Sequence, residues 1–189
     1  MPHRLIFVPA SLSEGLLIRG ENEIEDRRRV DFVLLHEVGH IVAKDYFRPT
    51  GSSDYVPVSW FEELLATYVG YAYLHAHDPT WAAASRHDWQ RVVDGFTPRK
   101  VSLDWTFMLD LPPDELARTY GWYQMLLNLR VAELHDEHGL DLLRRLRREL
   151  PWAESDQWTT ESILPLVERA APGFRAWADA LPTRYRARE

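Results

Sequence analysis

The sequence predicts a mainly α-helical protein with a small N-terminal β-sheet, an α+β fold. Three observations carry this. Apolar residues recur at three- and four-residue spacing over most of the chain, which is the signature of amphipathic helices. Capping residues, prolines and glycines punctuate those stretches at helix ends. Two short apolar runs near the N-terminus are separated by Ser and Gly and read as strands.

The elements follow in order. "RLIFVPA" (residues 4–10) and "GLLIRG" (15–20) are the two strands. A helix then runs from about Glu25 to Tyr46 and carries "VDFVLLHEVGHIVAKDY". "FRPTGSSDYVPVS" is a loop rich in Pro, Gly and Ser. The next helix, "SWFEELLATYVGYAYLHAH", opens with Ser59 and has Glu62 three residues on, the pattern of a capping box. "TWAAASRHDWQRVVDGF" is a third helix, and "TPRKVSLDWTFMLDLPP" is irregular. A long helix runs from Asp114 to His138, where Gly139 stops it in a left-handed C-cap. "LDLLRRLRREL" is amphipathic, its arginines a solvated face, and Pro151 closes it. "TTESILPLVERAA" and "GFRAWADAL" are two short terminal helices. A soft boundary near residue 97 divides the chain into a metal-binding lobe, 1–97, and a helical C-terminal lobe, 98–189. The two also read as one domain.

Composition narrows the function. The 189 residues contain 22 basic and 29 acidic side chains, an acidic balance that argues against nucleic acid as a partner. There is no cysteine, so disulfides, thiolate nucleophiles and cysteine zinc sites are excluded, and any metal must be held by His and carboxylate. No run approaches the roughly 20 apolar residues of a membrane span, and the N-terminal apolar run is too short for a signal sequence. The expectation is a soluble cytoplasmic protein with no membrane partner.

Within the apolar stretch from Phe32 to Ala43, His36, Glu37 and His40 are the polar residues. Burying them without partners would be costly. Two histidines four residues apart lie about 40° apart on a helix, so both imidazoles can grip one ion. Glu37 is turned roughly 100° from His36, a position suited to a general base rather than an equal ligand. This is the H-E-x-x-H arrangement of a hydrolytic zinc site.

A catalytic zinc usually has three protein ligands and one open position. No third His follows at the metzincin spacing. The candidates are Glu62 and Glu63 on the next helix. Glu62 is assigned to the capping box with Ser59. Glu63 shares a stripe with Ala66, Thr67 and Gly70, a face of small residues that lets this helix approach the HEVGH helix, itself notched at Gly39. Glu63 is therefore preferred, and the ligand set becomes His36, His40 and Glu63 around one Zn2+.

HEVGH followed after 22 residues by a glutamate within "WFEELLATY" resembles the gluzincin metallopeptidases, and most of all their aminopeptidase branch and its small relatives. Trp60, Glu63 and Ala66 match that group's W-x-x-E-x-x-A pattern. The resemblance covers residues 25 to 181. It implies a zincin-like fold in which the HExxH helix and the Glu-bearing helix pack together. It also implies that a tyrosine of "YGWYQMLLNLRVAELHDEHG" stabilises the oxyanion; Tyr123 fits the family's spacing to the glycine better than Tyr120. The aminopeptidases' G-x-M-E-N stretch is not matched, so exopeptidase specificity is not implied. About 35 residues precede His36, so the family's multi-stranded upper lobe is expected to be reduced to one or two strands or supplied in trans.

Two other polar clusters are weaker. His135 and His138, three apart in "LHDEHG", could hold a second metal, but a helix C-terminus favours such imidazoles without one. "HAHD" at 75–78 reads as a polar helix end. The expected function is zinc-dependent hydrolysis of a peptide or protein substrate docked by strand addition, with Glu37 as general base. A catalytically weak binding or regulatory module with the same fold is the competing reading, and a regulatory protease with one protein partner is a third.

Overall fold

Gly39 and Gly70 set the geometry of the molecule's central pair of helices. The structure is a computed structural model that describes residues 23–47, 58–150 and 158–185. Helix α1 (Glu23–Phe47) packs lengthwise on α2 (Ser59–His77). A Cβ on Gly39 would lie 2.1 Å from the Ala66 carbonyl oxygen, and one on Gly70 would lie 3.0 Å from the Leu35 carbonyl. Each helix therefore touches the other's backbone where that helix lacks a side chain.

Helix α3 (Pro79–Gly95) starts from Asp78, whose side chain accepts from the Trp81 amide at 2.8 Å, with Pro79 in the first turn. It braces α1 through Phe32 against Trp89, and through Arg28, which donates to Asp88 from both Nε and Nη2. A 3-10 turn (Trp105–Asp110) leads to α4 (Pro113–His138), which ends at Gly139 with φ of +53°. Helix α5 (Asp141–Glu149) lies next, followed by α6 (Thr160–Ala170), opened by a reciprocal Thr159–Ser162 capping box, and α7 (Phe174–Arg184).

One hydrophobic cluster joins these helices, with Trp60, Trp89 and Trp122 among its fully buried members. Each of those indoles also meets the cluster's polar limits or its rings: Trp60 Nε1 donates to Thr160 Oγ1 at 3.0 Å, and Trp122 Nε1 to the Val93 carbonyl at 3.2 Å. The Tyr68 hydroxyl donates to the Gly139 carbonyl at 2.6 Å, tying α2 to the end of α4. The cluster runs straight across residue 97, where the sequence suggested a soft boundary.

The fold class requires a correction. The described residues are 85% helical with no strand, so their fold is all-α rather than α+β. The runs expected as strands, 4–10 and 15–20, lie outside the described residues, as does most of the loop expected after α1. A sheet needs at least two paired strands, and the described chain supplies none. The described residues therefore offer no sheet edge on which a substrate strand could dock. No helix among the described residues is long and apolar enough to cross a membrane. The HEVGH helix is also less enclosed than its apolar run suggests: Phe32, Gly39 and Ala43 are buried, while Val33, Val38 and Val42 are 42–43% exposed.

Candidate metal centre

The contact between α1 and α2 brings together the residues singled out in the sequence. His36 and His40 stand one turn apart on α1, with Gly39 between them in the crossing. Glu63 stands one turn before Thr67 on the facing side of α2. His36 Nε2 lies 3.1 Å from His40 Nε2 and 3.2 Å from Glu63 Oε2, and His40 Nε2 lies 3.7 Å from Glu63 Oε1. Ligand atoms held 2.0–2.1 Å from a tetrahedral ion are separated by about 3.3 Å. The three groups therefore fit a zinc ion. Two imidazole nitrogens and a carboxylate this close repel one another unless a proton or a cation lies among them, which is a second reason the donor set suits a metal.

The surrounding contacts orient these groups. His36 Nδ1 lies 3.0 Å from Thr67 Oγ1; donating there places the proton on Nδ1 and leaves Nε2 as the ligand atom. His40 Nδ1 lies 3.4 Å from Glu62 Oε1, and Lys44 Nζ reaches the same oxygen at 2.9 Å. Gln124, from α4, donates through Nε2 to Glu63 Oε2 at 3.1 Å and to Tyr120 Oη at 3.0 Å. Glu37 offers a carboxylate oxygen within 4.8 Å of the His36 and His40 ligand nitrogens.

The Ser59–Glu62 capping box does not form. Helix α2 takes Val58 as its N-cap, with no side-chain cap. Glu62 is drawn instead to the Lys44 ammonium and His40, and a charged partner outweighs a bond to a backbone amide. Glu62 is thus turned to the outer nitrogen of His40, and Glu63 to the inner pair. Of the two tyrosines, Tyr123 is buried in the core, and its hydroxyl donates to the Leu103 carbonyl at 2.5 Å. Tyr120 is the one joined to Glu63 through Gln124. Burial, together with the charges of Glu63 and Glu37, pushes its hydroxyl up to about 12. It remains protonated at neutral pH and is a hydrogen-bond donor there.

Nothing in the sequence marks a site role for Thr67, Gln124 or Lys44. Thr67 was visible only as a small member of the Glu63 stripe. Gln124 carries no motif, and its spacing of four from Tyr120 is its one sequence signal.

The electrostatics give a pH dependence with opposite signs for the two helices. Burial lowers the His40 pKa, but Glu62, Glu63 and Glu37 outweigh it, so the net shift is upward from 6.5. Burial raises that of Glu63, but His36, His40 and Gln124 outweigh it, so the net shift is downward from 4.5. His40 therefore stabilises the metal-stripped chain below 6.5, and that contribution is lost as pH rises through its raised pKa. Glu63 stabilises it above 4.5, a contribution lost as pH falls through its depressed pKa. Zinc needs His40 neutral, so added zinc should raise the melting temperature more at about pH 8 than at about pH 6. A zinc-induced shift that is constant or smaller at the higher pH would count against the assignment.

No protein-family model matches this chain, and neither does any curated protein or solved structure.

Proposed function

We propose that this chain is a zinc-dependent hydrolase acting on peptide bonds. The observation that carries the reading is the convergence of His36 Nε2, His40 Nε2 and the Glu63 carboxylate at 3.1–3.7 Å, with the Glu37 carboxylate beside them. His36, His40 and Glu63 would hold the ion. When bound, zinc supplies Lewis acidity, making a water acidic near neutral pH and polarising a carbonyl.

The chain's own groups do the rest. Glu37, unneeded as a ligand, takes the proton of the attacking water and returns it to the departing amine. The Tyr120 hydroxyl donates to the oxygen that gains charge as the carbonyl becomes tetrahedral. Gln124 holds Tyr120 and Glu63 in one frame, so the donor and the ligand keep a fixed separation. Thr67 and Glu62 fix the two imidazoles from behind.

Metal content of purified variants tests the ligand set. Glu63→Ala should lose zinc, because only two protein ligands remain. Glu62→Ala and Gln124→Leu should keep zinc with affinity weakened about 10–100-fold, the usual cost of losing a group that orients a ligand. If Glu62→Ala strips the metal and Glu63→Ala retains it, the assignment of the third ligand is wrong.

A further inference from the structure

The far ends of α2 and α4 bring together a second group of side chains of metal-binding type. His75 lies in the last turn of α2, and His135 and Asp136 in the last turns of α4. Each offers one ligand atom, and these lie within 4.8 Å of one another. The two imidazole rings are 4.8 Å apart between centroids and tilted by 54°, so they are not locked in a parallel stack. Nδ1 of His135 is buried and makes no hydrogen bond. No protein partner fixes that ring's tautomer, and either nitrogen can serve as a lone-pair donor. His138, the partner that spacing suggested for His135, is instead directed at Glu137, 3.6 Å away.

We propose that His75, His135 and Asp136 form a second site for a divalent transition metal, separate from the HEVGH cluster. The site sits twelve residues along α2 from Glu63, about 18 Å at the rise of an α-helix, so it shares no ligand with the first. Two imidazoles and one carboxylate suit zinc, nickel or copper rather than calcium or magnesium, which prefer oxygen alone. His75 and Asp136 are exposed, so the ion is open to solvent and exchanges readily. One group opposes it. The Arg86 guanidinium lies 2.5 Å from Asp136 Oδ2, which leaves Oδ1 for the ion and places a positive charge nearby. An ion held here would clasp α2 to α4, the helices that supply Glu63 and Gln124.

The test is metal stoichiometry on the full chain, stripped and then dialysed against Zn2+ or Ni2+, with bound metal counted by mass spectrometry. Wild type should hold two ions per chain. His75→Gln and His135→Gln should each lose the weaker one, and the His36→Ala/His40→Ala pair should lose the tighter one. Arg86→Gln should tighten the weaker site several-fold by removing the competing charge. His75 is exposed, so its glutamine variant should fold as wild type does, which circular dichroism checks. The proposal is overturned if His75→Gln binds both ions with unchanged affinity, or if wild type binds one ion that is lost with His36 and His40. A single ion lost in His75→Gln and kept in the His36/His40 pair would support this site and count against the hydrolase reading instead.

Discussion

A Glu37→Gln chain is expected to keep its zinc and to lose peptide hydrolysis by about 10²–10⁴-fold, the range a positioned general base contributes. The substitution preserves the size of the side chain and removes only its capacity to take a proton. The His36 and His40 Nε2 atoms face each other and the two oxygens of the Glu63 carboxylate, which supply the ligands, so metal content should not change. Bound zinc and turnover of a mixed peptide library, measured on the same preparations, separate the possibilities. Loss of zinc would make Glu37 a ligand. Equal cleavage by wild type and variant would remove it as the base. A wild type that binds zinc tightly and cleaves nothing would turn the molecule into a binding module built on a hydrolase-like site.

Most of the helices were legible because their ends are chemically marked. Pro79 after Asp78, Pro113 in the first turn of the long helix and Gly139 after its end each sit where backbone donors or acceptors run out. The error lay in the fold class, which rested on two short apolar runs. Such runs do not distinguish a strand from other buried segments by periodicity alone, and the described residues are all-α.

The site was legible to the extent that it is local. Spacing of four residues on a helix is a geometric statement, so His36 and His40 could be paired from sequence. Contacts between helices were less accessible. Of the two grounds that favour Glu63 over Glu62 in the sequence, the small-residue face holds and the capping box does not form; the structure separates the two glutamates through Lys44 and His40, whose positions depend on the crossing of α1 and α2. The tyrosine shows the same limit. Tyr120 and Tyr123 lie three residues apart, nearly one turn, and what divides them is the Leu103 carbonyl and Gln124, both set by tertiary packing. Spacing alone points from His135 to His138 on its own helix, whereas the imidazole beside it is His75 on another.

Gly39→Ala should show how strongly the metal centre depends on the helix crossing. In an isolated helix this change stabilises by about 1 kcal/mol. Here the new Cβ would fall 2.1 Å from the Ala66 carbonyl oxygen and 2.9 Å from its carbon, both backbone atoms that cannot rotate away. A tolerable C···O contact is about 3.3–3.6 Å, so the helices must part by more than about 1 Å. Overpacking of this kind costs roughly 1–3 kcal/mol, which reverses the sign of the helix-propensity effect. The displacement also acts directly on the site, because Gly39 adjoins His40 and Ala66 is one turn from Glu63. Gaps of 3.2 and 3.7 Å between the imidazoles and Glu63 cannot absorb it while all three reach one ion. Gly39→Ala should therefore melt lower than wild type and lose zinc as Glu63→Ala does. Gly95→Ala is the matched control, since nothing lies within 4 Å of the added Cβ at the end of α3. Its melting temperature and zinc content should stay at or slightly above those of wild type. A Gly39→Ala chain that is as stable as the control and retains its zinc would show that α1 and α2 do not meet at Ala66, and the geometry assigned to the metal centre would fall with that contact.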